Sequence, residues 1–204
     1  MSEMEEADGN KVIFLGESSV GKTNLIKVSI GQQFEADSIT TWAPTYVSKE
    51  FVYNNKKYNF NLWDTIGQEL YRSLSTIFFK NSDIVILVYD ITNKKSFEEL
   101  NYWYESAQKI LGNDFMVGVI GNKSDLFTQE EVTEDEGKKY AEKIGAKFKL
   151  TSAKNEAANF TRFLEELFED YIKKNSGSNL VRHRGLTIEP QKLEKRPKQK
   201  RGFC

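Results

Sequence analysis

A chain of 204 residues with 39% apolar and 13% aromatic side chains can bury one substantial core. No apolar run approaches the roughly 18 residues of a spanning helix, the acidic opening MSEMEEADGN lacks the apolar centre of a secretory signal, and Ser2 stands where N-myristoylation needs glycine. A single cysteine, Cys204, excludes an intramolecular disulfide, and a single histidine, His183, argues against histidine-based catalysis or metal binding. The net charge of −1 conceals an asymmetry: residues 175–204 carry eight Lys/Arg against Glu189 and Glu194, so the preceding body is acidic. That distribution argues against a nucleic-acid binder and predicts a tail that meets an anionic surface.

Taken in chain order, residues 1–10 read as an acidic extension, 11–174 as one folded domain and 175–204 as a flexible basic tail, where apolar periodicity stops. The domain opens with the apolar run VIFL (12–15). VSKEFVY (47–53) and YNFNLW (58–63) alternate in polarity and are joined by NNKK, which predicts a hairpin. DIVILVYD (83–90) and FMVGVI (115–120) are nearly continuous in apolar residues, as parallel strands covered on both faces should be. Between these two, Phe97, Leu100, Tyr104, Ala107 and Leu111 fall at helical spacing. After KFKL (147–150), a wider stripe of Phe160, Phe163, Leu164, Leu167, Phe168, Tyr171 and Ile172 predicts a final packing helix. Strands alternating with helices, plus one hairpin, predict a doubly wound α/β sheet of about six strands.

Four short motifs stand at the C-terminal ends of predicted strands, the edge where open α/β sheets bind ligands. GESSVGKT (16–23) follows the first strand. Gly16 and Gly21 permit a tight path on which the backbone N–H groups of Ser18, Ser19, Val20, Gly21, Lys22 and Thr23 point at phosphate oxygens. Lys22 supplies a charge for the outer phosphates, the Thr23 hydroxyl is a candidate magnesium ligand, and Asn24 completes the expected contact set. In WDTIGQE (63–69), Asp64 suits the surroundings of that magnesium, Gly67 a backbone contact to a terminal phosphate, and Gln68 the orientation of a water. NKSD (122–125) contributes Asn122, Lys123 and Asp125, whose carboxylate matches the two adjacent N–H donors of guanine. TSAK (151–154) contributes Ser152, the Ala153 N–H for the guanine carbonyl oxygen, and the Lys154 stem to lie over the ring.

With all four signatures over residues 11–174, the chain resembles the Ras-type small GTPases. The resemblance implies a P-loop fold with a six-stranded, mostly parallel sheet containing one antiparallel strand, and helices on both faces. It further implies GTP/GDP and Mg2+ as ligands, and slow hydrolysis of GTP to GDP and phosphate, with Gln68, Lys22 and Gly67 serving the reaction. A switch threonine is also implied, with Thr40, Thr41 and Thr45 as candidates. In Rab-like members it lies 19 residues after the loop lysine and 23 before the motif aspartate, and both counts give Thr41. Phe34 falls where the family packs an aromatic ring on the guanine edge.

Among branches the chain is most similar to the Rab family. LVYDIT (87–92) is Rab-like, and Tyr46, Trp63 and Phe78 match that family's aromatic effector triad. The resemblance implies an exchange factor, a GTPase-activating protein and effectors docking through residues 38–50 and 66–79. It also implies a monomer held peripherally on the cytoplasmic face of a membrane by the basic tail and a prenylated Cys204, with a role in vesicle traffic. Three features depart from the family: WAPTY (42–46) replaces the usual IGVDF, Ile66 replaces alanine before Gly67, and the ending GFC fits no standard prenylation box. Ile66 leaves open a GTP-binding interaction module with little or no hydrolysis; a small GTPase of another Ras-superfamily branch is a separate alternative.

Overall fold

The structure is a computed structural model that describes residues 9–36, 45–65 and 78–176. Six strands form one sheet in the order β2-β3-β1-β4-β5-β6. They are β1 (Asn10–Leu15), β2 (Thr45–Tyr53), β3 (Lys56–Asp64), β4 (Ile84–Asp90), β5 (Met116–Asn122) and β6 (Lys147–Leu150). All neighbours pair in parallel except β2 with β3. The helices are α1 (Lys22–Ser29), α2 (Lys94–Glu98), α3 (Leu100–Leu111), α4 (Glu134–Lys143) and α5 (Ala157–Asn175), with a 3-10 segment at Ser124–Gln129.

The continuous apolar runs are explained by a sheet buried on both sides. Val12, Phe14, Ile84, Ile86 and Val88 face one core with Leu25, Phe160, Leu164 and Phe168 of α1 and α5. Their alternates Ile13, Leu15, Val85, Leu87 and Tyr89 face a second core with Trp103 and Ala107 of α3 and Ala141 of α4. All seven residues of β4 are buried, so an odd/even alternation in polarity could not appear there. Each large apolar side chain so buried contributes at most about 1.5–3 kcal/mol.

The hairpin closes on Asn54 and Asn55, with φ of 49° and 61° and Tyr53 paired to Lys56. Positive φ at both central residues is the type I′ requirement, and asparagine tolerates it better than most side chains. The predicted stripe after β4 is broken between α2 and α3. Within α3 the buried residues are Leu100, Trp103 and Ala107, so Trp103, outside the stripe, is 1% exposed while Tyr104 is only half-buried. One helix, α4, was not anticipated from periodicity, because it buries only Gly137 and Ala141. Its start is held instead by a reciprocal capping box between Thr133 and Glu136. The Lys94 ammonium and the Thr133 backbone and hydroxyl together hold the Glu136 carboxyl down to about 2.

Candidate functional site

The loop from β1 to α1 runs under tight steric control. Gly21, the N-cap of α1, has φ 97°, and a Cβ there would lie 2.3 Å from Asn122 Nδ2. At Gly16 a Cβ would meet the Val88 carbonyl oxygen at 2.1 Å. Both positions therefore need glycine, as the motif spacing predicts.

Lys22 opens α1 and is 5% exposed. Its ammonium donates to the carbonyls of Gly16 at 2.9 Å and Glu17 at 2.8 Å. Burial pushes it down from 10.5 to about 8, partly opposed by the carboxylates of Asp64 and Glu17. Thr23 Oγ1 donates to Asp64 Oδ2 at 2.7 Å, joining α1 to the end of β3. Thr65 fixes that strand end by donating its hydroxyl to the Phe14 carbonyl at 2.5 Å. Among the described residues no group of three His, Cys, Asp or Glu could hold a metal. The hydroxyl and carboxylate oxygens of Thr23 and Asp64 are nevertheless the hard donors that magnesium takes alongside phosphate oxygens.

The Asn24 side chain ties the first turn of α1 to Glu35. Its Nδ2 donates to the Glu35 carbonyl at 3.0 Å, and its Oδ1 accepts from the Glu35 N–H at 3.2 Å. Lys27 pairs with the Glu35 carboxylate at 2.7 Å. The Asn24 side chain thus holds the segment after α1. Phe34, in that segment, is half-buried against the first core.

On the other side of the loop, Asn122 ends β5 at 2% exposure. Its Nδ2 donates to the Val20 carbonyl at 2.8 Å, and its Oδ1 accepts from the Ala153 N–H at 3.1 Å. One carboxamide therefore joins three of the sequence motifs. The Ala153 N–H, expected for a guanine carbonyl, donates to Asn122 in this structure. Ser152 donates to Asp125 Oδ1 at 2.5 Å and accepts the N–H groups of Lys154 and Asn155 at 3.1 Å. Lys123 has φ 67° and pairs through Nζ with Asp90 Oδ2 at 2.6 Å, while the Lys154 residue is exposed. In the sequence Asp90 stands out only as part of LVYDIT (87–92).

Thr41, Ile66, Gly67, Gln68 and Cys204 lie outside the described residues. Of the aromatic triad, Trp63 belongs to the second core and stacks on Tyr46 at 5.1 Å, and Phe78 packs against the same core. A groove of about 490 Å³ between Tyr104, Phe115, Ile144 and Lys174 opens away from all four motifs, and its Lys147 is already paired with Asp170 at 2.5 Å.

The fold and its converging loops define the class: an α/β nucleotide-binding protein built around a phosphate loop. The family profile described as "Ras family" matches residues 11–174. Ras-related protein Rab-21 of Homo sapiens is 38% identical over 164 residues, covering 80% of this chain and 71% of that protein. Rab-21 of Bos taurus is likewise 38% identical over 164 residues, covering 80% of this chain and 72% of its own length. Ras-related protein Rab-2B of Dictyostelium discoideum is 36% identical over 176 residues, covering 86% and 87%. The chain belongs to the Ras family, and within it this is a Rab-like small GTPase that binds GTP and GDP and hydrolyses GTP.

Proposed function

We propose that this GTPase is a membrane-attached switch in vesicle traffic, with residues 11–174 as the nucleotide-dependent body and the basic tail as the anchor. The observation that carries the nucleotide part is the Asn122 carboxamide, bound at once to the phosphate loop and to the TSAK loop. It supports a single site in which phosphate and base are held by one rigid frame.

In this reading the backbone N–H groups of residues 18–23 cradle the phosphates, and Lys22 offsets their charge. Magnesium, when bound, would supply positive charge that offsets the phosphates; Thr23 and Thr41 would hold it, with Asp64 beside them. Gly67 approaches the terminal phosphate through its N–H, and Gln68 orients the attacking water. Asp125 reads guanine, supported by Ser152, while Lys123, Ala153, Lys154 and Phe34 line the base. No arginine lies in the four motifs, so turnover is slow until a partner supplies charge. Exchange factor, activating protein and effectors dock on residues 38–50 and 66–79, and the protein works as a monomer.

No helix among the described residues is long and apolar enough to cross a membrane. In this reading attachment rests on a prenyl group at Cys204 and on Lys195, Arg196, Lys198, Lys200 and Arg201, each basic residue worth about 1 kcal/mol at an anionic leaflet. The test is a comparison of partners captured by the protein loaded with a GTP analogue or with GDP. Partners retained only by the analogue form are expected, and identical capture would overturn the switch. Intact-mass analysis of the membrane fraction checks the anchor, where an unmodified Cys204 would exclude it.

A further inference from the structure

Lys123 is a non-glycine residue held in left-handed backbone conformation, φ 67° and ψ 35°. A Cβ disfavours that region, so the turn between Asn122 and Asp125 needs outside support. Both flanks have it. Asn122 is bound to Val20 and Ala153, and Asp125 is bound by Ser152. Lys123 itself is held by Asp90, the last residue of β4 and the register partner of Asn122.

The Asp90 carboxylate is set before the lysine meets it. Oδ1 accepts the Thr92 N–H at 2.9 Å and the Thr92 hydroxyl at 2.8 Å, leaving Oδ2 on the ammonium at 2.6 Å. Its backbone N–H donates to Ser96 Oγ at 3.0 Å, and Ser96 is 1% exposed. The Ile91 N–H donates to the Asn122 carbonyl at 3.1 Å, so the chain after β4 is also tied to the turn. The Asp90 side chain is 9% exposed and that of Lys123 32%, so solvent screens this pair less than an ordinary surface pair. The lysine is thereby tied from the end of β5 to the end of β4, beside the turn that carries Asn122 and Asp125.

We propose that Asp90 is a positioning residue for nucleotide retention: by fixing Lys123 it holds the Asn122–Asp125 turn in base-reading geometry and slows release of guanine nucleotide. This rests on the guanine-binding reading of NKSD. The experiment follows release of a fluorescent GDP analogue, chased with excess GDP in magnesium buffer, for the full chain and a double-mutant cycle. Asp90→Asn keeps the Thr92 contacts and removes the charge; it is expected to speed release by about tenfold or more. In a Lys123→Ala background the same substitution should change release by less than about twofold, because its effect passes through the lysine. A general loss of stability would multiply the two effects instead, and that result, or an unchanged rate in Asp90→Asn, would overturn the proposal. Should Asp90→Asn fail to fold, limited acetylation of the wild-type protein decides: Lys123 is expected to react more slowly than the exposed Lys154, and equal reactivity refutes the pair. Wild-type protein that retains no GDP would overturn the guanine reading and the proposal with it.

Discussion

The proposed base-facing and phosphate-facing halves of the site are held in different ways. On the base side, charges and dipoles are matched within the protein: Asn122 makes two hydrogen bonds, Asp125 takes the Ser152 hydroxyl, and Lys123 pairs with Asp90. On the phosphate side, the ammonium of Lys22 rests on two backbone carbonyls and is nearly desolvated, with its acidity raised accordingly. The base half is thus rigid by its own contacts, and the phosphate half carries a buried positive charge that favours an anion. In the proposed reading the base half carries the choice of nucleotide and the phosphate half its response to pH, and substitutions should tell the two apart.

The largest effect is expected at Asp125. In the proposed reading Asp125 accepts two charge-assisted bonds from guanine, worth roughly 1.5–3 kcal/mol each. Asp125→Asn should therefore weaken GTP binding by a hundredfold or more and raise affinity for xanthosine triphosphate, as read by competition binding. A GTP dissociation constant within about threefold of wild type would contradict the base half outright.

Gly21→Ala strikes the seam between the halves. The new Cβ would fall 2.3 Å from Asn122 Nδ2 on a backbone with φ 97°. Strain of about 1–3 kcal/mol, plus displacement of the carboxamide, should lower the midpoint of thermal unfolding and weaken binding of GDP and inorganic pyrophosphate alike. Loss confined to one of the two ligands would show that the halves are uncoupled.

The smallest effect is a pH dependence of the phosphate half. Lys22 titrates near 10.5 unfolded and about 8 folded, so between these values the unfolded chain binds more protons. Its burial cost, roughly 3 kcal/mol, is fully present below pH 8 and is relieved as pH rises toward 10.5. Phosphate favours the ammonium, so nucleotide binding at pH 9 should take up close to one proton and weaken as pH rises further. Calorimetric titration of GDP in buffers of different ionisation enthalpy reads that uptake. Zero uptake would mean that the ammonium is already charged in the free protein.

Much of the frame was legible in the chain because it depends on neighbours in sequence. Continuous apolar runs announced β1, β4 and β5; alternation and the Asn54-Asn55 pair announced the hairpin; glycine spacing announced the phosphate loop. Helix α4 was marked only by Thr133 and Glu136, a signal of capping rather than periodicity. Trp103 could not be told from Tyr104 by spacing, since both stand at helical steps from Leu100 and Ala107, and which of them meets the core is a tertiary outcome.

What the sequence by itself determined is therefore the set of strands, the order of the motifs and the residue types that suit phosphate and guanine. Only the tertiary structure decided which side chains meet across the sheet. Asp83 accepts from the Lys11 N–H, 72 positions away, and from the Tyr171 hydroxyl, 88 away. Asn122 reaches Val20 across 102 positions. Periodicity and local propensity act over a few residues, whereas these partners are chosen by strand order and register, which depend on burying both faces of the sheet at once.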